Sequence, residues 1–245
     1  MRKLFVLAAA TFASALLSTP AMASHSWGGY HWARTANPFT VKLGDNVTPA
    51  WDAYLNSASA DWSSSSNGNP VRTTIVAGST TGKKCAATVG RVEVCNAAYG
   101  NRGWLGVATI SINQSHITQA TTKMNDTYYA PGTKYDTPVW RAAVMCQEIG
   151  HAWGLDHQDE SGADFHTCMD YASNPDADNM HPNTHDYQQL ASIYSHFDSS
   201  TTIGLSAQEG AKPYKTERKD ARRTSKVTET YADGSKKVTF IFWAV

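Results

Sequence analysis

One segment, TPVWRAAVMCQEIGHAWG at 137–154, constrains the fold more than any other part of the chain. Thr137 is suited to cap a helix, and the proline that follows it fits the first helical position. In such a helix Gln147 and His151 lie one turn apart on one face, with Glu148 beside them. The segment therefore predicts a helix that presents three polar side chains close together.

The residues after this helix bring a further polar side chain towards the same face. Gly154 is suited to end the helix and permits a sharp turn, so that His157 can return to the point that Gln147 and His151 face. Two ligands on a helix, a glycine turn and a third ligand predict a metal site with an open fourth position, which is typical of catalytic zinc. Glu148 would polarise a water on the metal and pass its proton to the leaving amine.

The segment QEIGHAWGLDH at 147–157 resembles the signature of the metzincin metalloproteases, H-E-x-x-H-x-x-G-x-x-H. Every fixed position matches except the first, where Gln147 replaces histidine, and the ending GLDH is most similar to the matrixin branch. In CMDY, Met169 matches the methionine turn beneath the metal, and Tyr171 matches the tyrosine that astacin- and serralysin-like members place near it. The resemblance covers residues 38–197 and implies a zinc-dependent endopeptidase.

The resemblance also implies roles for other residues. Met169 would form the hydrophobic floor of the metal site, and Tyr171 would stabilise the oxyanion of the tetrahedral intermediate. The stretch GWLGVATISIN at 103–113 resembles the edge strand of the family, along which an extended peptide substrate would lie by strand addition. Calcium is a further candidate cofactor, as in matrixin-like domains, although the candidate ligands match no defined calcium-loop spacing: Asp176, Asp178 and Asp186.

Gln147 leaves three interpretations open. In the first, its carbonyl oxygen replaces the histidine, as a weaker donor to zinc than imidazole. In the second, another nearby side chain completes the site: Asp156, Asp159 or His166. In the third, the site is degenerate and the protein is a non-catalytic secreted module that binds a metal or a peptide. We favour an enzyme because Glu148, which has no use in a degenerate site, is present together with His151 and His157.

The N-terminal residues indicate export. Arg2 and Lys3 precede the apolar run LFVLAAATFASALL, and small residues up to Ala23 complete the pattern of a signal peptide at 1–23. The run is short for a bilayer span and no second one follows, so we expect a secreted or periplasmic monomer without a membrane association. The chain has 21 acidic and 21 basic residues. No basic surface dominates, and a nucleic-acid partner is therefore not expected.

Four cysteines in an exported chain favour two disulfides, for which three connectivities exist. We predict Cys85–Cys95, which would staple a short turn to a strand, and Cys146–Cys168, which would tie the motif helix to the methionine turn. A loop closed by the second bond contributes about 3 kcal/mol in the chain-entropy model. Free thiols or a cysteine metal ligand are the disfavoured alternatives.

The order of helix, strands and then helices predicts an α+β domain. The resemblance implies that this domain is metzincin-like, with a small mixed twisted sheet, an active-site helix and a C-terminal helix after the methionine turn. Strands are predicted at 38–43, 71–78 and 103–113. Helices are predicted at 48–64, 137–154 and 185–197, the first of them capped by Thr48.

The composition changes after about residue 199. The stretch at 212–226 is rich in charges and predicts a solvated linker, and a hairpin with an Asp-Gly turn is predicted at 226–245. The predicted organisation is therefore a signal peptide at 1–23, a metalloprotease-like domain at 24–199 and an extension at 200–245.

Overall fold

The computed structural model describes residues 25–159, 161, 163–171, 173–205, 213–218 and 226–244, of which 213–218 are described by their backbone alone. The signal peptide predicted at 1–23 and much of the charged stretch at 212–226 lie outside the described residues. Within the described ranges, no helix has both the length and the apolar character that a membrane span requires.

Three α-helices occur in the described part of the chain: α1 (Asp52–Trp62), α2 (Pro138–His151) and α3 (Thr184–Ile193). The predicted cap of α2 is confirmed, because the Thr137 side chain accepts a hydrogen bond from the backbone N–H of Trp140. The predicted cap of α1 is wrong. Trp51 occupies that position, and its backbone N–H donates to the Thr48 carbonyl, so Thr48 belongs to the preceding turn.

The described strands form one nine-stranded sheet: β1 (His31–Trp32), β2 (Phe39–Asn46), β3 (Val71–Ala77), β4 (Val92–Ala97), β5 (Trp104–Asn113), β6 (His116–Asn125), β7 (Pro213–Arg218), β8 (Lys226–Tyr231) and β9 (Lys236–Trp243). Their order across the sheet is β3-β2-β4-β6-β5-β9-β8-β7, and β1 also pairs with β6. Pairs among β1, β2, β3, β4 and β6 are parallel, whereas those of β5 with β6 and β9 and those within β7–β9 are antiparallel. The architecture is therefore α+β with one mixed sheet.

The core lies between the sheet and the helices, since α2 packs against both α1 and β5. Trp51, Trp62, Trp140 and Trp153 are buried there, and the indole N–H of Trp62 on α1 donates to the Cys146 carbonyl of α2 at 3.0 Å. This hydrogen bond fixes the position of α2 at the point where its polar face begins.

Both predicted disulfides are confirmed. Cys85 is bonded to Cys95, and Cys146 is bonded to Cys168, with Cα atoms 5.9 Å apart in each pair. The second bond connects α2 directly to the segment that contains Met169.

The strand predicted as the edge of the sheet is not at an edge. β5 pairs with β6 on one side and with β9 on the other, from Trp104 opposite Trp243 to Ile112 opposite Lys236. The predicted hairpin is confirmed as β8–β9, and part of the predicted linker is instead the strand β7. β9 lies against β5 because its alternate apolar side chains are buried, and burial of such side chains contributes about 1.5–3 kcal/mol each.

Candidate functional site

Gln147 lies fully buried on α2 and its amide has a defined orientation. The amide nitrogen is 2.9 Å from the Cys168 carbonyl and 2.7 Å from the Asp170 carbonyl, and it donates to both. Because carbonyl oxygens only accept hydrogen bonds, the nitrogen must face them and Oε1 takes the other position of the amide. Within the described residues, this oxygen is buried and has no hydrogen-bond partner. It is therefore an available acceptor on the predicted ligand face.

His151 and His157 come together as the motif predicted. Their ring centroids are 4.8 Å apart with the rings nearly perpendicular, and both side chains are buried. Nδ1 of His151 is 2.9 Å from the Leu155 carbonyl, which only accepts, so Nδ1 carries the proton and Nε2 keeps its lone pair. Burial, followed by the charge of His157, holds the pKa of His151 well below its usual value. The neutral ring is the form that binds a metal.

The turn between the two histidines depends on a glycine and on the N-terminal segment. Gly154 has a φ of +93°, and a Cβ at this position would collide with the Tyr30 carbonyl oxygen. The backbone N–H of Trp27 donates to the Gly154 carbonyl at 2.8 Å, and that of Asp156 donates to the His25 carbonyl at 2.6 Å. The N-terminal segment thus fixes the turn that returns His157 to α2, a role that our sequence analysis missed.

Glu148 is buried between α2 and β5. A Cβ on Gly106 of β5 would collide with its Oε1, so this glycine leaves the space that the carboxyl group occupies. Burial raises the pKa of Glu148 well above its usual value, and a hydrogen bond from the Ala108 backbone opposes that rise. The side chain is thus a buried acid–base group at the strand beside which a peptide was predicted to lie.

Met169 packs against α2 at Gly150. It is fully buried, and a Cβ on Gly150 of α2 would collide with its sulfur and come within 2.7 Å of the Trp62 ring. The absence of a side chain at Gly150 therefore allows this close approach.

Tyr171 lies beside the histidine pair. Its ring centroid is 5.1 Å from that of His157, in an edge-to-face arrangement. Its hydroxyl accepts a hydrogen bond from the backbone N–H of Trp243 at 3.0 Å, and its ring stacks on Phe242 at 5.3 Å. The predicted oxyanion-stabilising hydroxyl is thus bonded to β9.

Phe240 of β9 covers the histidines. Its ring stacks on that of His151, with centroids 4.3 Å apart, and lies perpendicular to that of His157 at 5.6 Å. The Trp27 ring also stacks on His151, at 5.3 Å. An aromatic cover from the two ends of the described chain, Trp27 and Phe240, therefore lies on the two histidines.

The side chains that were alternatives to Gln147 as the third ligand make other contacts in the structure. Asp156 accepts from the backbone N–H of His157 and from Lys226, each at 3.0 Å, and Asp159 accepts from the Ser161 hydroxyl at 2.8 Å. His166 is mostly exposed, and the groups beside it are Asp164 and Asp178, each with a carboxylate oxygen within 4 Å. Four side chains were candidates for the third ligand. Among the described residues, Gln147 is the one of these four that offers a buried oxygen without a hydrogen-bond partner.

Among the described residues, three other groups of side chains could hold a cation, and in each the ligand atoms lie within 4.8 Å of one another: His25, His185 and Asp186; His31, His116 and Asp198; Asp164, His166 and Asp176. Two of the three carboxylates predicted to bind calcium fall in different groups, and Asp178 belongs to none of the three. Asp176 belongs to an exposed group, whereas Asp186 is buried 3.1 Å from the His25 ring nitrogen. These groups could not be predicted from spacing, because residues so distant in the chain carry no local signal of their proximity.

Asp170, next to Met169, provides a pH-dependent prediction. Burial raises its pKa to about 6, opposed by a hydrogen bond from the Phe165 backbone. The unfolded value is about 3.9, so the folded state holds the proton more tightly. The stability due to this proton is fully present below about pH 4 and is lost as the pH rises to about 6. We expect Asp170→Asn to abolish that fall, measured by urea unfolding from pH 4 to pH 7.

The control for this prediction is Asp233→Asn in the β8–β9 turn. Hydrogen bonds from Ser235 lower the pKa of Asp233, so this substitution should leave the fall between pH 4 and pH 6 in place. The same pH dependence in the wild-type and Asp170→Asn proteins would contradict the assignment to Asp170.

Comparisons with known proteins identify a distant structural likeness. No protein-family model matches the chain, and no curated protein matches it. A structure described as that of myroilysin is similar to this one with a TM-score of 0.40 and 14% sequence identity, over 70% of this chain and 98% of that chain. A crystal structure of myroilysin gives a TM-score of 0.35 and 15% identity, over 67% and 86% of the two chains. We therefore base the proposed function on the residues of the site.

Proposed function

We propose that the protein is a secreted zinc-dependent endopeptidase that hydrolyses peptide bonds with a metal-activated water. The observation that carries the proposal is the Gln147 amide oxygen, which is buried without a hydrogen-bond partner among the described residues. An unpaired buried acceptor costs about 1–3 kcal/mol, and a cation beside it removes that cost. This oxygen lies one helical turn from His151, whose Nε2 keeps its lone pair.

The donor set fits zinc. Gln147, His151 and His157 offer one oxygen and two ring nitrogens, and three protein ligands leave a coordination position open. An amide oxygen is a weaker donor than the imidazole it replaces, so we expect weaker zinc retention than in a site with three histidines. Zinc bound there would act as a Lewis acid that activates water for attack on a carbonyl.

The protein's own groups would complete the reaction. Glu148 would take a proton from the attacking water and deliver it to the leaving amine. Tyr171, once released from the Trp243 backbone, would donate a hydrogen bond to the oxyanion. An extended peptide or protein substrate would pair along β5. The two disulfides are consistent with a protein that functions outside the cytoplasm.

A second candidate function is a non-catalytic metal- or peptide-binding module. The observation that favours it is the aromatic cover, since Phe240 lies on His151 and β9 occupies the side of β5 on which a substrate would pair. The two functions differ in turnover, and substitutions at the unusual ligand distinguish them.

The experiment compares substitutions at Gln147. Zinc per chain is measured after dialysis, and casein hydrolysis is measured with and without a chelator on protein cut between β7 and β8, because Phe240 of β9 covers the histidines in the intact chain. Gln147→His is expected to tighten zinc binding and to preserve or raise hydrolysis. Loss of an outer-shell partner weakens metal binding about 10–100-fold. Gln147→Ala removes a ligand and is expected to weaken zinc binding by at least that factor.

Gln119→Ala on β6 is the matched control, because the Gln119 amide donates to the Ser111 hydroxyl, away from the histidines, and its loss should change neither readout. The free energy of unfolding of the metal-free variants measures how much the two hydrogen bonds of Gln147 contribute to stability, separately from zinc binding. Unchanged zinc affinity and hydrolysis in Gln147→Ala would show that glutamine is not a ligand. If the cut Gln147→His protein binds zinc tightly but does not hydrolyse casein, the binding module is favoured.

A further inference from the structure

The outer edge of β5 is a surface for strand addition, and β9 occupies it. The two strands are antiparallel, and their pairing extends from Trp104 opposite Trp243 to Ile112 opposite Lys236. At the centre, the hydroxyls of Thr109 and Thr239 are 3.2 Å apart. An extended peptide that bound by strand addition would use the same backbone groups of β5.

The side chains of β9 enter the candidate site as those of a bound peptide would. Val238, Phe240 and Phe242 alternate along the strand and are all buried. Phe240 stacks on the ring of His151, and Phe242 stacks on the ring of Tyr171. The inward face of β9 therefore presents two aromatic side chains, two residues apart, to the predicted catalytic residues.

Polar contacts hold the hairpin at both ends. The Trp243 backbone donates to the Tyr171 hydroxyl at 3.0 Å, and the Ala244 backbone donates to the Gly103 carbonyl at 2.8 Å. At the start of β8, the Lys226 ammonium is 3.0 Å from a carboxylate oxygen of Asp156, the residue before His157. The hairpin thus contacts the site on both sides of the histidine pair.

We propose that β9 is a tethered ligand of the groove between β5 and α2, so that the intact chain is latent. The groove then accepts an extended peptide with aromatic side chains two residues apart, the first of them seated on His151 as Phe240 is. Hydrolysis of a peptide in this groove rests on the proposed function, whereas the occupancy of the groove by β9 rests on strand pairing and side-chain contacts alone.

The tether gives β9 an advantage over a free peptide. A segment joined by a short linker competes at an effective concentration of the order of millimolar, well above that of a dilute substrate. Cutting the connection turns this intramolecular contact into an ordinary equilibrium that dilution shifts towards release.

The test begins with the intact folded chain. Residues 219–225 are replaced by the recognition sequence of a site-specific viral protease, and the purified protein is cut, so that the β8–β9 hairpin remains bound without a covalent link. After dilution, hydrolysis of a quenched fluorescent peptide is expected to rise about 10²-fold, the lower end of what tethering contributes. Adding a synthetic peptide of residues 226–244 should reverse the rise, and the same peptide carrying Phe240→Ala should reverse it less.

A cysteine pair supplies the matched control. The double variant Thr109→Cys and Thr239→Cys places thiols on facing residues, so oxidation links β9 to β5. The linked protein should remain latent after the cut and become active on mild reduction. Cut protein without the added cysteines is treated with the same reductant, which accounts for any effect on the natural disulfides.

The outcomes separate this inference from the proposed function. Binding of a fluorescently labelled 226–244 peptide to the cut, hairpin-depleted chain is measured by anisotropy. If the labelled peptide binds but no form hydrolyses peptides, the occupancy stands and the peptidase proposal fails. If the uncut chain hydrolyses peptides as fast as the cut chain, the peptidase stands and latency is wrong. A hairpin that never leaves the cut chain under native conditions also overturns the inference, since β9 is then a permanent strand.

Discussion

Glu148→Gln is expected to reduce peptide hydrolysis about 10²–10⁴-fold while zinc remains bound, because loss of a general acid–base group has that magnitude. Glutamine keeps the shape of the side chain in the space beside Gly106 but cannot take a proton from water. Zinc should remain because Glu148 acts on water and is not a ligand. The measurement is kcat for a quenched peptide with the cut protein, together with zinc per chain.

Glu93→Gln is the matched control for this substitution. Glu93 is the other fully buried glutamate of the described chain, on β4, where Arg91 and Ser79 bond its carboxylate. Its replacement should lower stability and leave kcat and zinc content unchanged. Full activity in Glu148→Gln would exclude Glu148 as the base.

Removal of the Cys146–Cys168 disulfide is expected to lower both stability and zinc affinity. A natural disulfide of a small secreted domain contributes about 2–5 kcal/mol. This one also joins α2 to the segment whose carbonyls, at Cys168 and Asp170, orient the Gln147 amide. The double variant Cys146→Ala and Cys168→Ala should therefore release zinc at a lower chelator concentration than the wild-type protein.

The other disulfide is the control for that effect. Replacing Cys85 and Cys95 with alanine removes a bond to β4, which β6 separates from β5 in the sheet, and should lower the free energy of unfolding without changing zinc release. Stability is measured by urea unfolding of the metal-free proteins. Equal loss of zinc affinity in both double variants would show that general destabilisation, and not the link to Gln147, is responsible.

The sequence predicted best what local signals determine. Thr137 and Gly154 define the helix and the turn of the motif, so Gln147, Glu148 and His151 could be placed on one element from their spacing alone. The β8–β9 hairpin was equally predictable, because an Asp-Gly turn between two apolar strands is a short-range signal. The disulfide pairing followed from closeness in the chain.

Long-range features were not predictable in this way. The central strand β6 was missed because buried Thr121, Thr122 and Asn125 interrupt its apolar pattern, and their burial depends on neighbouring strands. The pairing of β9 with β5 was missed for a related reason. Backbone pairing has no sequence code, so the resemblance placed a substrate where the structure places the chain's own strand.

The separation between β5 and β9 has a consequence for how the protein matures. Thr109 and Thr239 face each other although 130 positions separate them, so this pairing raises the contact order and should form slowly. Until β9 arrives, β5 exposes an unpaired strand edge of the kind that recruits other chains into aggregates. Residues 236–243 are synthesised well after β5, so β5 carries this exposed edge until β9 pairs with it, and chaperones that cover strand edges are expected to raise the yield of folded protein.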